Sequence, residues 1–588
     1  MSIRRQRRFD PLWRFAVGSP PASPPVLQMH SRTPDPAPLG KHESSSVKTN
    51  DQVVEVVAVT PSTGSWPTPG AESDARDAHI REKLNRSLTP RHISMIAIAG
   101  VIGTGLYLGT GRSLVIGGPG ALIINYSLIG FVVYLTMLAL GEMSTFMPIS
   151  GSFCSYAKKF GSDSFGFTLM CNYWFNDATS VASDLTALQL VLDYWNSPQN
   201  HFPFYAASLI VWGVLLILNV VHVRVYGETE YWLALLKIIA IVIFFIVSIV
   251  VNAGHNDQHE YIGFKWWGYR DAPFVNGFKG FASIFVTSSF AFGGTESITL
   301  TAGEAQNPIR NTPKVIRTVF WRILIFYVFT AFFIGMNVPY TYPHLSEKTV
   351  VTSPFTIVFQ MVGSKAAGSF MNAVILTSVI SAGNHALFAG SRVLYNLGLE
   401  GYVFPSLITR TNRHQVPYVA VILTWAVGGL CFGSSFIGAG TLWTWLQNIV
   451  GVSNQIAWLS IAVISIRFRQ GLEKQGRTHE LLFKNWTYPY GPYFLVVFVS
   501  FIILVQGWSA FAPWSTSSFF SYYLELFVFG FLWICWWVWK RDPFIKTEDM
   551  DFTTDRYVMS EDEKLLNEHL DSLKGWPKAR LWVSENLF

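Results

Sequence analysis

From Ile93 onward the chain carries about twelve long apolar runs, and these limit its fold more tightly than any other feature. Their cores fall near 93–111, 120–147, 165–195, 204–222, 231–252, 279–303, 318–340, 367–395, 417–437, 441–466, 490–512 and 519–539. Roughly 20 apolar residues cross a bilayer as a helix, so most of these runs reach across and the longer ones must tilt or bend. Only 14% of residues are charged, against about a quarter in soluble domains. The sequence predicts an all-α integral membrane protein with about 12 transmembrane helices.

What flanks the runs sets domains and orientation. Residues 1–85 are rich in proline, serine and charge and lack apolar periodicity; such a composition cannot offset ordering entropy, so a disordered cytoplasmic tail is expected. Its first eight residues resemble a signal n-region, but Pro11, Arg14 and Pro20 interrupt any apolar h-region. With the N-terminus inside, inner loops hold Lys158, Lys159, Arg224, Arg310, Lys314, Arg317, Arg410, Arg413 and the basic group from Arg467 to Lys484. Outer loops near 196–203, 438–440 and 513–518 hold no lysine or arginine, while the remaining outer loops hold Arg112, Lys265, Arg270, Lys348 and Lys365. That balance puts both termini in the cytoplasm, with a twelve-helix membrane domain at 86–541 and a C-terminal tail at 542–588. In the tail, Ser560–Glu563 with Leu565, Leu566 and Leu570 suggests a short amphipathic helix. The net charge of +6 is read as inward-facing basic residues, and no nucleic-acid surface is expected. Cys154, Cys171, Cys431 and Cys535 are packing residues rather than a disulfide framework. No ligand cluster or nucleophile–base set points to a metal, a cofactor or an enzyme.

Two runs are interrupted by glycine near their middles. The first contains Gly100-Val-Ile-Gly-Thr-Gly-Leu-Tyr107 with Gly109 beyond it, and the sixth contains Phe290-Ala-Phe-Gly-Gly-Thr-Glu-Ser297. Taken alone, Gly105-x-x-x-Gly109 fits close helix packing through small residues, and it fits a broken helix equally well. The offset of five helices favours the break, because paired interruptions in two halves mark the site of an inverted-repeat transporter. Helices 1–5 are then repeated as 6–10, helices 1 and 6 are discontinuous, and 11 and 12 are additional. A half-helix starting after Gly105 offers free amides, and one ending near Ala291–Gly293 offers carbonyls. A zwitterion satisfies both.

Buried ionisable residues extend this reading. Lys237 lies seven residues into the fifth run and needs a partner, unless it snorkels to the interface. Asp177 and Asp184 share one face of the third helix with Ser180 between them, either as a structural polar seam or as substrate contacts. Glu296 follows the second break, where it can relay a proton or cap the next half-helix. Glu142, Glu304 and His385 read as inner-gate or packing groups.

Several ordered motifs resemble the fungal-type amino acid permeases of the amino acid–polyamine–organocation superfamily. They are Arg91–Tyr107, Ala139-Leu-Gly-Glu-Met143 with Pro148–Phe153, Phe290–Glu296 with Ala302–Pro308, Ser381-Ala-Gly-Asn384, Ser391–Tyr395 and Ile466-Arg-Phe-Arg469. The resemblance implies proton-coupled amino acid uptake across the plasma membrane by alternating access. It implies a substrate carboxylate on Ile102, Gly103, Thr104 and Gly105, and an ammonium on the carbonyls around Phe290, Ala291 and Phe292, with Gly293, Gly294 and Thr295 completing the break. Phe290 takes the gating position, and Lys237 stands where sodium-coupled cousins bind an ion. Coupling and polar roles go to Lys237, Glu296 and Asp184. Asp184, Ser297, His385 and Ser465 depart from residues common in relatives and fall where a pocket or gate is shaped. Partners are the amino acid, the proton and the bilayer, with Lys41, Lys48 and Lys83 available to ubiquitin machinery. The alternatives are a polyamine or choline-type cation permease, which would drop the carboxylate end, and a non-transporting amino acid sensor.

Overall fold

The computed structural model describes residues 102–149, 151–196, 203–221, 223–297, 299, 316, 318–345, 351–511 and 513–556. The expected tail at 1–85, the three tail lysines, Gly100, Glu304, Arg310, Lys314, Arg317 and the amphipathic segment near 560–570 lie outside these residues. Every regular element described is helical, and the one β-bridge joins Phe511 to Trp514.

The first helix, α1 (Thr104–Tyr107), is followed after Leu108 by α2 (Gly109–Phe146). Within α2, Gly118 takes φ 81°, and Pro119 follows it. A Cβ at Gly118 would stand 2.6 Å from the Pro273 carbonyl oxygen, so a glycine turns the chain there and proline opens the next helix. The first and second spans therefore join through a corner rather than a loop. A short helix α3 (Ser152–Phe160) leads to α4 (Asp163–Leu192), which Ser162 caps by accepting from the Phe165 amide at 3.2 Å. Then come α5 (Phe204–Val221), α6 (Val223–Asn252) and α7 (Gly277–Phe292). The seventh span passes through a π-helical stretch, Ile323–Phe329, into α8 (Thr330–Asn337). The chain continues with α9 (Pro354–Gln360), α10 (Lys365–Leu399), α11 (Tyr418–Gly428), α12 (Ala439–Lys474), α13 (Tyr490–Val505) and α14 (Thr516–Lys540).

Eight helical stretches among the described residues are long and apolar enough to cross a membrane. The four expected spans that miss this mark are the first, third, fourth and sixth. The first enters the described residues only at Ile102, the sixth ends at its break, the third is diluted by Asn172, Asn176, Asp177 and Asp184, and the fourth is merely short. Three of the four line the central cavity described below. In the third and sixth, the residues that spoil a simple transmembrane signature are among those that build the site.

Spans five apart pack on one another: the first and second, both in α2, on the sixth (α7) and seventh (α8), the third (α4) on the eighth (α10), and the fourth (α5) on the ninth (α11). An inverted repeat brings such counterparts together around its pseudo-twofold axis. The last two helices sit outside, α13 on α12 and α14 on α12 and α4. Their outward faces show Val497, Leu504, Phe531 and Ile534, as lipid-facing helices should.

One end of the bundle is tied by polar contacts. Arg469 pairs with Glu142 at 3.0 Å, and the same carboxylate accepts from the Asn485 amide at 3.0 Å. The chain beyond α14 returns to this end. Asp542 accepts from the Ser164 amide at 2.8 Å and from its hydroxyl. Arg467 donates to the carbonyls of Phe160 and Ile545. Phe552 is buried against Phe146, Phe160 and Phe468, with ring centroids 6.3, 5.4 and 5.7 Å away. The first stretch of the expected C-terminal tail is therefore packed structure.

Candidate functional site

At the first break, Gly103 is extended (φ −139°, ψ −157°) and α1 begins at Thr104. The amides of Leu106 and Tyr107 return to the Gly103 carbonyl at 3.1 and 3.2 Å, so it is the first-turn amides, including that of Gly105, that lack a partner within the helix. Gly105 and Gly109 face α7. A Cβ at Gly105 would lie 2.4 Å from the Ala291 Cα, and one at Gly109 would lie 3.4 Å from the Thr287 Cγ2. The packing reading of this stretch holds, since the glycines let helix 1 cross helix 6 at backbone contact where α1 begins.

At the second break, α7 stops at Phe292, and Gly293 (φ −58°, ψ 149°) leaves the helix. Gly294 has φ 86°, which glycine adopts without strain. The carbonyls here are partly engaged. Phe290 accepts from the Gly293 amide at 3.2 Å, Ala291 from the Tyr327 hydroxyl at 2.8 Å, and Phe292 from the Thr295 hydroxyl at 2.8 Å. Each carbonyl keeps a second lone pair for a ligand. Tyr327 comes from the π-helical stretch and also stacks on Phe292 at 4.0 Å; such insertions re-aim side chains at working sites. Asn454 fixes the break from α12, donating to the Ser289 carbonyl at 3.2 Å while accepting from Asn176 at 2.8 Å.

Between the breaks lies a cavity of about 60 Å³. Of the expected residues, Gly103, Thr104, Gly105, Asp184, Phe290, Ala291, Gly293 and Gly294 line it, joined by Asp177 and His385. Ile102, Phe292, Thr295, Glu296 and Lys237 stand behind this lining. Ile102 offers its carbonyl to Ser378 at 3.3 Å. Glu296 is buried, with Tyr173 donating at 3.0 Å and Trp458 at 3.1 Å. Both of its oxygens are held by side chains of α4 and α12. His385 sits between Tyr226 at 3.0 Å and Ser297 at 3.1 Å, tying α6, α10 and the chain after the second break.

A charged group backs the first break. Thr104 donates to Asp184 at 2.7 Å. Lys237 is fully buried, within electrostatic reach of Asp184 and of Glu230. Glu230 accepts from Ser381 and Asn384, each at 2.6 Å. The sequence reading missed Glu230, because the apolar run was counted from 231. A signal existed, since Glu230 and Lys237 are seven apart and share a helix face. Asn176, Asn454 and Tyr327 were also missed, being ordinary residue types in apolar runs. Among the described residues no cluster of three or more His, Cys, Asp or Glu could hold a metal.

The amino acid permease family profile matches residues 92–548. A probable amino-acid permease of Schizosaccharomyces pombe is 42% identical over 488 residues, covering 81% of this chain and 96% of the relative. The lysine-specific permease of Escherichia coli is 39% identical, covering 80% of this chain and 96% of its own length. That of Saccharomyces cerevisiae is 37% identical, with 82% and 80% covered. The twelve-run architecture, the paired breaks and these likenesses agree: the chain belongs to the amino acid permease family and is a multi-pass membrane transporter of amino acids.

Proposed function

We propose that the chain carries its amino acid inward across the plasma membrane together with a proton, by alternating access, with both termini in the cytoplasm. The carboxylate rests on the open amides from Gly103 to Gly105, and the ammonium on the spare lone pairs of Phe290 and Ala291. The observation that carries this is the contact of Gly105 with Ala291, which sets the amide end of one half-helix beside the carbonyl end of another. Dipole ends of opposite sign then face one small cavity, and a zwitterion matches both.

Proton coupling is supported by Lys237, whose amine lies within electrostatic reach of Asp184 and Glu230. A metal cation bound there would meet a resident positive charge, whereas a proton can arrive and leave on the surrounding carboxylates. His385, bridging Tyr226 and Ser297, forms a latch across the path from the second break. Phe290, on the lining, is the aromatic that closes over the substrate.

The test is radiolabelled uptake across a panel of amino acids in a permease-deficient host, at two pH values, with and without a protonophore. Accumulation that rises in acid and collapses with the protonophore is expected. Uptake indifferent to both would refute proton coupling while leaving amino acid transport intact. Relatives named for lysine and for basic amino acids make cationic amino acids the first class to include.

A further inference from the structure

Four carboxylates are buried in and around the cavity, and three are engaged. Thr104 holds Asp184, Ser381 and Asn384 hold Glu230, and Tyr173 and Trp458 hold Glu296. The fourth is Asp177. It is 6% exposed, lines the cavity, and its Oδ2 has no hydrogen-bond partner among the described residues. Its position is built rather than incidental, because Gly390 of α10 makes the room and a Cβ there would stand 2.8 Å from the Asp177 Cβ.

The charge count is equally uneven. Lys237 lies within reach of Glu230 and Asp184, whereas the charged neighbour acting on Asp177 is Glu296, of like sign. No cation among the described residues offsets it. A buried carboxylate without a counter-charge either costs several kcal/mol, roughly, or takes up a proton, and a zwitterionic substrate with a neutral side chain brings no charge to relieve it. A substrate with a second cationic group does.

Geometry places that second group. Thr104 ties the first break to Asp184, so the carboxylate end of a substrate sits near the level of Asp184. Asp177 is seven residues away on the same helix face, about 10 Å along the axis. The four-carbon stem of a lysine runs between these levels past Ser180, which also lines the cavity. Resting on the transport reading above, we propose that Asp177 is the specificity-determining residue that receives the side-chain cation of a dibasic amino acid.

Lysine and norleucine, which differ by the terminal ammonium, test this. Initial rates are measured in a permease-deficient host expressing the full chain, Asp177→Asn or Asp177→Glu, corrected for the amount at the cell surface. The native chain should prefer lysine. Asp177→Asn should cut the lysine-to-norleucine ratio of kcat/KM by about 10- to 100-fold, mainly through the lysine KM, since a charge-assisted hydrogen bond is lost. Asp177→Glu should restore part of it. Equal losses for both substrates, or a flattened pH profile for both, would overturn the proposal in favour of a structural or proton-carrying carboxylate. If the variants fail to reach the membrane, competition on the native chain decides: lysine displacing a labelled substrate at least about tenfold better than norleucine supports the proposal, and equal displacement overturns it. A native chain that transports norleucine but not lysine sinks this inference alone. One that transports no amino acid sinks the transport reading itself.

Discussion

The two helix breaks look alike in sequence and are held in opposite ways. Around the first, backbone meets backbone, with Gly105 against Ala291, and the groups behind it are charged: Asp184, Lys237 and Glu230. Around the second, side chains hold the chain, with Tyr327 on the Ala291 carbonyl, Asn454 against Gly293, and Tyr173 and Trp458 on the lone carboxylate there, Glu296. A backbone contact cannot yield, while a side chain can swing. The first break should therefore be intolerant of bulk and sensitive to charge, and the second tunable by side-chain changes.

The largest effect is expected from Gly105→Val. Its Cβ would stand 2.4 Å from a Cα on the neighbouring helix, and the overpacking should cut uptake on the order of 100-fold while the protein still inserts in the membrane. Near-normal uptake by this variant would erase the proposed asymmetry. Next comes Lys237→Ala, which removes the cation behind the first break. Uptake at acid pH should fall about tenfold and lose its response to a protonophore; an unchanged pH profile would deny Lys237 any part in coupling.

Gly293→Ala probes the other side. Its Cβ would lie 2.0 Å from the Asn454 Nδ2, the end of a side chain, so roughly a tenfold loss is expected. Adding Asn454→Ala should recover part of that loss if the two residues are coupled. The same double change leaving uptake no better than Gly293→Ala would place the fault in the backbone instead. The smallest effect belongs to Tyr327→Phe, which keeps the stacked ring and loses one hydrogen bond to Ala291. A three- to tenfold rise in KM, roughly, measured with kcat in the same assay, would match a side chain that only steadies the break.

Much of this was legible in the chain. Apolar length announced the spans, and glycine inside two of them announced the breaks, because both signals are local. Why Gly105 must be glycine was not legible, since the group it meets, Ala291, lies 186 positions away. Glu230 escaped notice for a different reason. A window that seeks apolar residues ends at the first carboxylate, so it discards Glu230, which borders the apolar run within α6, and keeps only Lys237, seven residues further on. Asp177 and Asp184 were visible as a pair, but nothing in their spacing could say that Thr104 occupies one and leaves the other open. Partnership depends on the third dimension even where placement does not.

The returning strap after α14 carries a practical consequence for anyone who labels this transporter. Phe552 and Met550 are almost wholly buried, and Gly471 lies so close to both that a Cβ there would meet each at 2.8 Å. A fluorescent fusion joined just after Arg541 would delete both side chains, and losing a buried phenylalanine costs about 3–5 kcal/mol. Such a reporter would misjudge abundance by weakening the protein it counts. Joined beyond Arg556, the same reporter leaves the aromatic plug of Phe146, Phe160 and Phe468 intact.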